Sequence, residues 1–288
     1  DDPQSEDGRD WLAELGPVQT NAIGAAFHAS APDRPVLSWA GSRPFDAVEV
    51  EELHQIARFA AAPLAALAAR AALTALLEAY LGRRSAARVQ AGALRRGTGE
   101  TIRAALLYAD LRGFTALSEA TEPAAVIAAL DAWFDRVTGA VHAFGGEVLK
   151  FIGDGVLAIF PVTGTSAEAC TAALESIVAA RAGMAHLDAA RRTQGLPPLA
   201  FGAALHLGEI LWGNIGAADR LDFTAIGPAV NLVSRLEGLC RTLGRSVLIS
   251  GAVASELTAP SRRPLVPLGE HALRGIATPC AVFTLAEA

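Results

Sequence analysis

Two aspartates in this chain end apolar runs where glycine lets the backbone turn, a placement that suits them to metal chemistry. Asp154 lies in Gly-Gly-Glu-Val-Leu-Lys-Phe-Ile-Gly-Asp-Gly, residues 145–155, on a glycine-flanked turn between two apolar strands. Asp110 ends the run from Ile102 to Tyr108. Strand-end carboxylates that meet offer the hard oxygen ligands a divalent cation takes, and phosphoryl transfer uses such cations. Within Asp-Leu-Arg-Gly-Phe-Thr, Gly113 permits a tight turn, so the backbone N–H groups of Phe114 and Thr115 can face a phosphate at a helix start. The acid and the phosphate cradle are therefore neighbours.

For the acids to meet, the segments around them must form a sheet. Apolar runs predict strands over 102–108, 147–152, 156–160, 199–210, 221–226, 247–250 and 281–285, and helices over 123–144, 166–192 and 229–243. This order gives an α+β sandwich of ferredoxin-like plan, one sheet covered by helices on a face. Upstream, in an N-terminal segment 1–47, residues 1–36 are at first polar and proline-containing and then give a helical pattern from Trp11 to Phe27, and a short strand runs from Pro35 to Ala40. Asp46 and Glu49 have capping-box spacing, so a long helix should start there. Its Leu53, Ala57, Ala60, Leu64, Leu67 and Ala71 keep three- and four-residue steps, the seam of two paired helices. Residues 48–95 thus read as a dimerising signalling helix and linker, the alternative being an ordinary amphipathic helix that Pro63 bends. The basic, glycine-containing stretch 92–99 marks the boundary to a second domain, 96–288.

Composition narrows the function class. A chain of 288 residues, 52% hydrophobic, suits one large domain or two modest ones. A formal charge of -6 and a pI near 5.6 argue against a nucleic-acid binder, which needs a basic face to replace counterions. Cys170, Cys240 and Cys280 show no disulfide or zinc spacing, so a reducing cytoplasm is expected. The longest uncharged apolar run, Phe59 to Ala69, is too short for a bilayer, so no membrane segment is expected in this chain. The chain begins at Asp1 and its one methionine is Met184, so it is expected to be a piece of something longer.

Over roughly residues 101–285 the chain resembles the catalytic domain of class III nucleotidyl cyclases, the adenylate and guanylate cyclases. The resemblance rests on Asp110-Leu-Arg-Gly-Phe-Thr115, Gly146-Glu-Val-Leu-Lys-Phe-Ile-Gly-Asp154, Gly213-Asn-Ile-Gly216 and Phe223-Thr-Ala-Ile-Gly-Pro-Ala-Val-Asn-Leu-Val-Ser-Arg235, in the family's order and spacing. It implies that Asp110 and Asp154 hold two Mg²⁺ or Mn²⁺ per site. Arg235 then matches the residue that stabilises the transition state, and Asn231 the one that orients the ribose. Lys150 and Thr224 match the positions that read the base, threonine standing where most adenylate cyclases have aspartate, as in the soluble-type subgroup.

The family's metal aspartates come from one subunit and the other residues from its partner, so the resemblance implies a homodimer that turns ATP into cyclic AMP. Two positions depart from the pattern. Pro228 stands where aspartate or asparagine is usual, and Arg274 is the nearest match to a lysine that contacts the polyphosphate. GTP as substrate, or a silent nucleotide-binding module, are the alternatives. The upstream strand, turn and long helix resemble the tail of a GAF-type sensory domain, which implies sensor input. His142, His206 and His271 are isolated and read as structural.

Overall fold

In the computed structural model, which describes residues 19–22, 38–41, 43, 45–92, 95, 97–217, 219–257 and 264–286, the chain divides into two compact units, Asp1–Leu77 and Glu78–Ala288. In the first, β1 (Gln19–Ala22) pairs antiparallel with β2 (Ser38–Gly41). A strand thus replaces part of the helix expected over 11–27, and the rest of that segment lies outside the described residues. Helix α1 (Ala47–Leu81) starts at the predicted capping box. Asp46 Oδ1 accepts from the N–H groups of Val48 and Glu49 at 2.9 Å each, and Glu49 Oε2 accepts from the Asp46 N–H at 2.9 Å. Pro63 lies inside the helix. By length and composition alone α1 meets the requirement for a bilayer span, with a mean hydropathy of 1.7 over an 18-residue window. The run between Arg58 and Arg70 understates it because the helix continues through Arg70.

The second unit is built on two long central strands, β3 (Gly99–Leu111) and β6 (Phe201–Gly216), paired antiparallel from Gly99 opposite Gly213 to Leu111 opposite Phe201. On one side of β3 come β5 (Gly155–Pro161) and then β4 (Glu147–Ile152), the predicted hairpin. On the other side of β6, β8 (Val247–Ser250) pairs parallel at one end and β7 (Leu221–Ile226) antiparallel at the other. Strands β10 (Cys280–Leu285) and β9 (Leu265–His271) complete eight, with β9 at the edge. Sequence reading does not anticipate β9.

Strand periodicity sends alternate residues of β3 into two separate cores. Ala105, Leu107 and Ala109 pack under α4 (Pro123–Ala143) and α5 (Ser166–Thr193), with Trp133, Val137, Ala173 and Ile177. Ala104 and Leu106 face α6 (Pro228–Leu243), with Val233, Leu236 and Cys240. Helices therefore cover both faces of the sheet rather than the one expected. Shorter helices complete the unit: α2 (Arg83–Gln90) precedes β3, α3 (Phe114–Ala120) follows it, and α7 (Gly251–Ala254) follows β8.

Candidate active site

Asp110 is the penultimate residue of β3 and lies on the face toward α6, opposite Gly202 of β6. Its Oδ1 is buried and has no hydrogen-bond partner among the described residues. Asp154 occupies the β4–β5 turn, where Gly153 takes φ 64° and a Cβ on Gly155 would stand 2.7 Å from the Tyr108 hydroxyl. Trp133 of α4, fully buried, fixes this turn by donating its Nε1–H to the Asp154 carbonyl at 2.8 Å.

The fold brings the two carboxylates together. Burial first, then the Asp154 carboxylate within hydrogen-bonding reach, pushes Asp110 up to about 7. Burial, and after it the Asp110, Glu237 and Asp154 charges, push the Tyr108 hydroxyl up to about 12. An acid whose ionisation burial and a neighbouring carboxylate oppose, with a buried oxygen lacking a donor, forms a site that a cation would relieve. Among the described residues no cluster of three or more such ligands occurs, so other ligands would be oxygens of substrate, backbone or water.

Beside the acids, Arg112 Nη2 stands 3.1 Å from Glu237 Oε1 of α6, a largely buried pair. The pair lies over Gly202, where a Cβ would come within 1.9 Å of the Arg112 guanidinium. Beyond Gly113, at φ 70°, α3 begins with no side-chain cap; the Phe114 ring packs on the first core while Thr115 is exposed.

The predicted base-reading residues also come near one another. Lys150 of β4 forms an ion pair with Asp222 of β7, and Thr224, buried at 6% exposure, lies two residues along the same strand and so on the same face as Asp222. Phe151, Ile152, Leu211, Leu221 and Ile226 leave 40–50% of their surface exposed on these same strands.

On α6, Pro228 occupies the first turn, as its chemistry favours. Asn231 and Arg235 lie four residues apart on the exposed face, while Leu236 and Glu237 turn inward. Arg274 is exposed in the turn between β9 and β10. Sequence reading does not single out Trp133, Glu237 or Asp222. Asp222 adjoins the quoted Phe223–Arg235 segment and was within reach; Trp133 and Glu237 sit among helix residues that carry no local signal.

An eight-stranded α+β sheet with paired strand-end aspartates defines a domain of the class III nucleotidyl cyclase type. The family model described as the adenylate and guanylate cyclase catalytic domain matches residues 99–286, and the chain belongs to that family. It is 33% identical to an adenylate cyclase of Anabaena cylindrica over 57% of this chain and 32% of that protein. It is 34% identical to adenylate cyclase 1 of Rhizobium meliloti (strain 1021) over 62% of this chain and 26% of that one. The chain thus spans a quarter to a third of these relatives. Its fold matches the adenylyl cyclase CyaB from P. aeruginosa with a TM-score of 0.60 and 29% identity, over 66% of this chain and 97% of that one. A bacterial light-regulated adenylyl cyclase matches in fold with a TM-score of 0.65 at 24% identity, over 80% and 66%.

Proposed function

We propose that this chain is an adenylate cyclase that converts ATP to 3′,5′-cyclic AMP and pyrophosphate at composite sites of a homodimer. The observation that carries this is the meeting of Asp110 and Asp154 with a buried Asp110 oxygen that no donor satisfies. Relatives named adenylate cyclases support the choice of reaction. The donor set fits two Mg²⁺ or Mn²⁺, which when bound would polarise the phosphates and the attacking hydroxyl.

The chain's own groups bind and orient. Ring closure joins the ribose 3′-oxygen to the α-phosphorus and expels pyrophosphate, so negative charge grows on the phosphoryl oxygens and the leaving group. Arg235 stabilises that charge more in the transition state than in the ground state, and Asn231 on the same helix face orients the ribose. Lys150 and Thr224 read the adenine edge, which presents an acceptor at N1 and a donor at N6. Phe114 and Thr115 receive phosphate through backbone N–H groups of the uncapped α3 turn, and Arg274 serves the polyphosphate.

Two copies enter this reading because the family takes its metal aspartates from one subunit and the other residues from its partner, and Asn231 and Arg235 are exposed on α6. The exposed apolar side chains around Lys150 and Thr224 offer a surface for the second copy. ATP as substrate and three free cysteines suit the cytoplasm, and residues 1–95 would carry sensor input to the site.

The test is to incubate the purified chain with Mn²⁺ or Mg²⁺ and either ATP or GTP, with product identified by mass spectrometry and Asp154→Ala as control. Cyclic AMP, lost in the variant, is the expected result. Cyclic GMP would keep the metal site and overturn the base assignment. No cyclic product from a confirmed dimer would instead indicate a silent nucleotide-binding module.

A further inference from the structure

Helix α2 is anchored to β4, which carries Lys150, and to β3 and β6, the second of which pairs with the strand that carries Thr224. At its start, the Ser85 N–H and hydroxyl both donate to Glu147 Oε1, at 3.1 and 2.9 Å, inside the protein. Glu147 is 4% exposed and opens β4, three residues before Lys150. Gly82, at φ 78°, lets the chain enter α2 against that carboxylate, since a Cβ there would lie 3.2 Å from Glu147 Oε1. Three residues beyond Ser85, the Arg88 guanidinium lies 4.8 Å from the centre of the Trp212 ring. Arg88 also grips both carboxylate oxygens of Glu100 on β3, Nη2 to Oε2 at 2.7 Å. Trp212 meets Phe223 edge-on at 5.3 Å and 87°, and Phe223 adjoins Thr224. Next to Arg88, Val89 packs into the core that holds Leu149, Trp212 and Phe223.

From these contacts we infer that α2 is a positioning clamp for the base pocket: it sets the separation of Lys150 and Thr224, and with it the affinity and preference for adenine. The inference rests on the base-reading assignment above. Lys150 is joined to Glu147 through Val148 and Leu149 of the same strand, and Thr224 is braced through Phe223 and Trp212, so a shift of α2 changes the geometry seen by the base. The metal carboxylates sit at the other end of β4 and β3, outside these contacts. Ser85, Glu147, Arg88 and Trp212 are positioning residues in this scheme, and none of them touches nucleotide.

The experiment titrates ATP and GTP onto the full chain and onto Ser85→Ala, Arg88→Ala and Ser85→Thr, with Lys150→Ala and Thr224→Ala as reference and thermal melting as a fold check. Losing one hydrogen bond to a buried carboxylate, or one fork and ring contact, is expected to weaken ATP binding about three- to tenfold. GTP binding should change less, so the ATP:GTP affinity ratio falls, and Ser85→Thr, which keeps the hydroxyl, restores it. A purely structural role would lower the melting temperature or the active fraction and leave the ratio unchanged. An unchanged ratio in folded Ser85→Ala and Arg88→Ala, while Lys150→Ala shifts it, overturns the clamp and keeps the base assignment. A ratio unmoved by Lys150→Ala and Thr224→Ala removes the base assignment and the clamp with it.

Discussion

The acidic pair and the α6 pair are built in opposite ways. Asp110 sits near the end of the interior strand β3 and Asp154 in the β4–β5 turn, with Trp133 pinning that turn and the Arg112–Glu237 pair beside the acids. Their geometry is fixed by one chain before any ligand arrives, at the cost of two like charges held together. Asn231 and Arg235 stand on the exposed face of a helix whose other face is packed in the core. The acidic pair is thus preorganised by its own chain, while the α6 pair is left open to whatever meets that helix face. Helix α6 serves both halves, since Glu237 turns inward toward the acids while Arg235, two residues earlier, turns out.

The largest effect should come from neutralising the acidic half. Asp110→Asn or Asp154→Asn is expected to lower cyclic nucleotide formation on the order of a thousandfold or more, because it removes the cation's anchoring charge. In metal-free buffer the same substitutions should hold or raise the melting temperature, because they remove a buried like-charge contact. A variant that loses activity and melts earlier would mean that the pair is structural. Next, Asp154→Asn and Arg235→Ala chains, each inactive alone, are mixed after unfolding and refolding. If the halves combine across a dimer, random pairing restores about a quarter of wild-type sites; a mixture as inactive as its components would place each site within a single chain. A smaller effect is expected for Trp133→Phe, which keeps the buried ring and loses the bond to the Asp154 carbonyl. Turnover should fall several-fold, up to about tenfold, with a rise in the Mn²⁺ concentration needed for half-maximal rate. Unchanged metal dependence would show that the turn is rigid without α4.

How much of this the residues disclose depends on how local each feature is. Asp110 and Asp154 are legible because an apolar run, a glycine turn and an acid are adjacent in sequence. The Asp46–Glu49 cap is legible for the same reason, and both of its hydrogen-bond sets form. Lys150, Thr224, Asn231 and Arg235 are singled out only through family resemblance, and the residue that meets Lys150 lies 72 positions away. Strand β9 escapes notice because Pro267 and Gly269 interrupt Leu-Val-Pro-Leu-Gly-Glu-His, and a proline fits a strand chiefly at a sheet edge, where β9 lies. That α6 covers the opposite face from α4 and α5 follows from the crossing of long segments, which periodicity within one helix does not encode.

The smallest effect concerns the strand the two regions share. β6 faces Asp110 at Gly202 and Thr224 at Gly213, and His206 lies between these levels with Nδ1 2.9 Å from the Ser250 hydroxyl. Burial holds this imidazole down to about 4, against an ordinary value of 6.5. Between those values the unfolded chain binds a proton that the native chain refuses, so stability rises with pH across the window and is lost as pH falls from 6.5 toward 4. The loss is at most about 3 kcal/mol. His206→Gln, which retains a group able to bond Ser250, should flatten that part of the melting-temperature profile while leaving the profile above pH 7 in place. Because His206 touches neither carboxylate nor base, the variant should alter metal and ATP dependence equally little. A selective loss of one would show that β6 transmits strain toward that region alone, and that the two halves of the site are not independent parts of the chain.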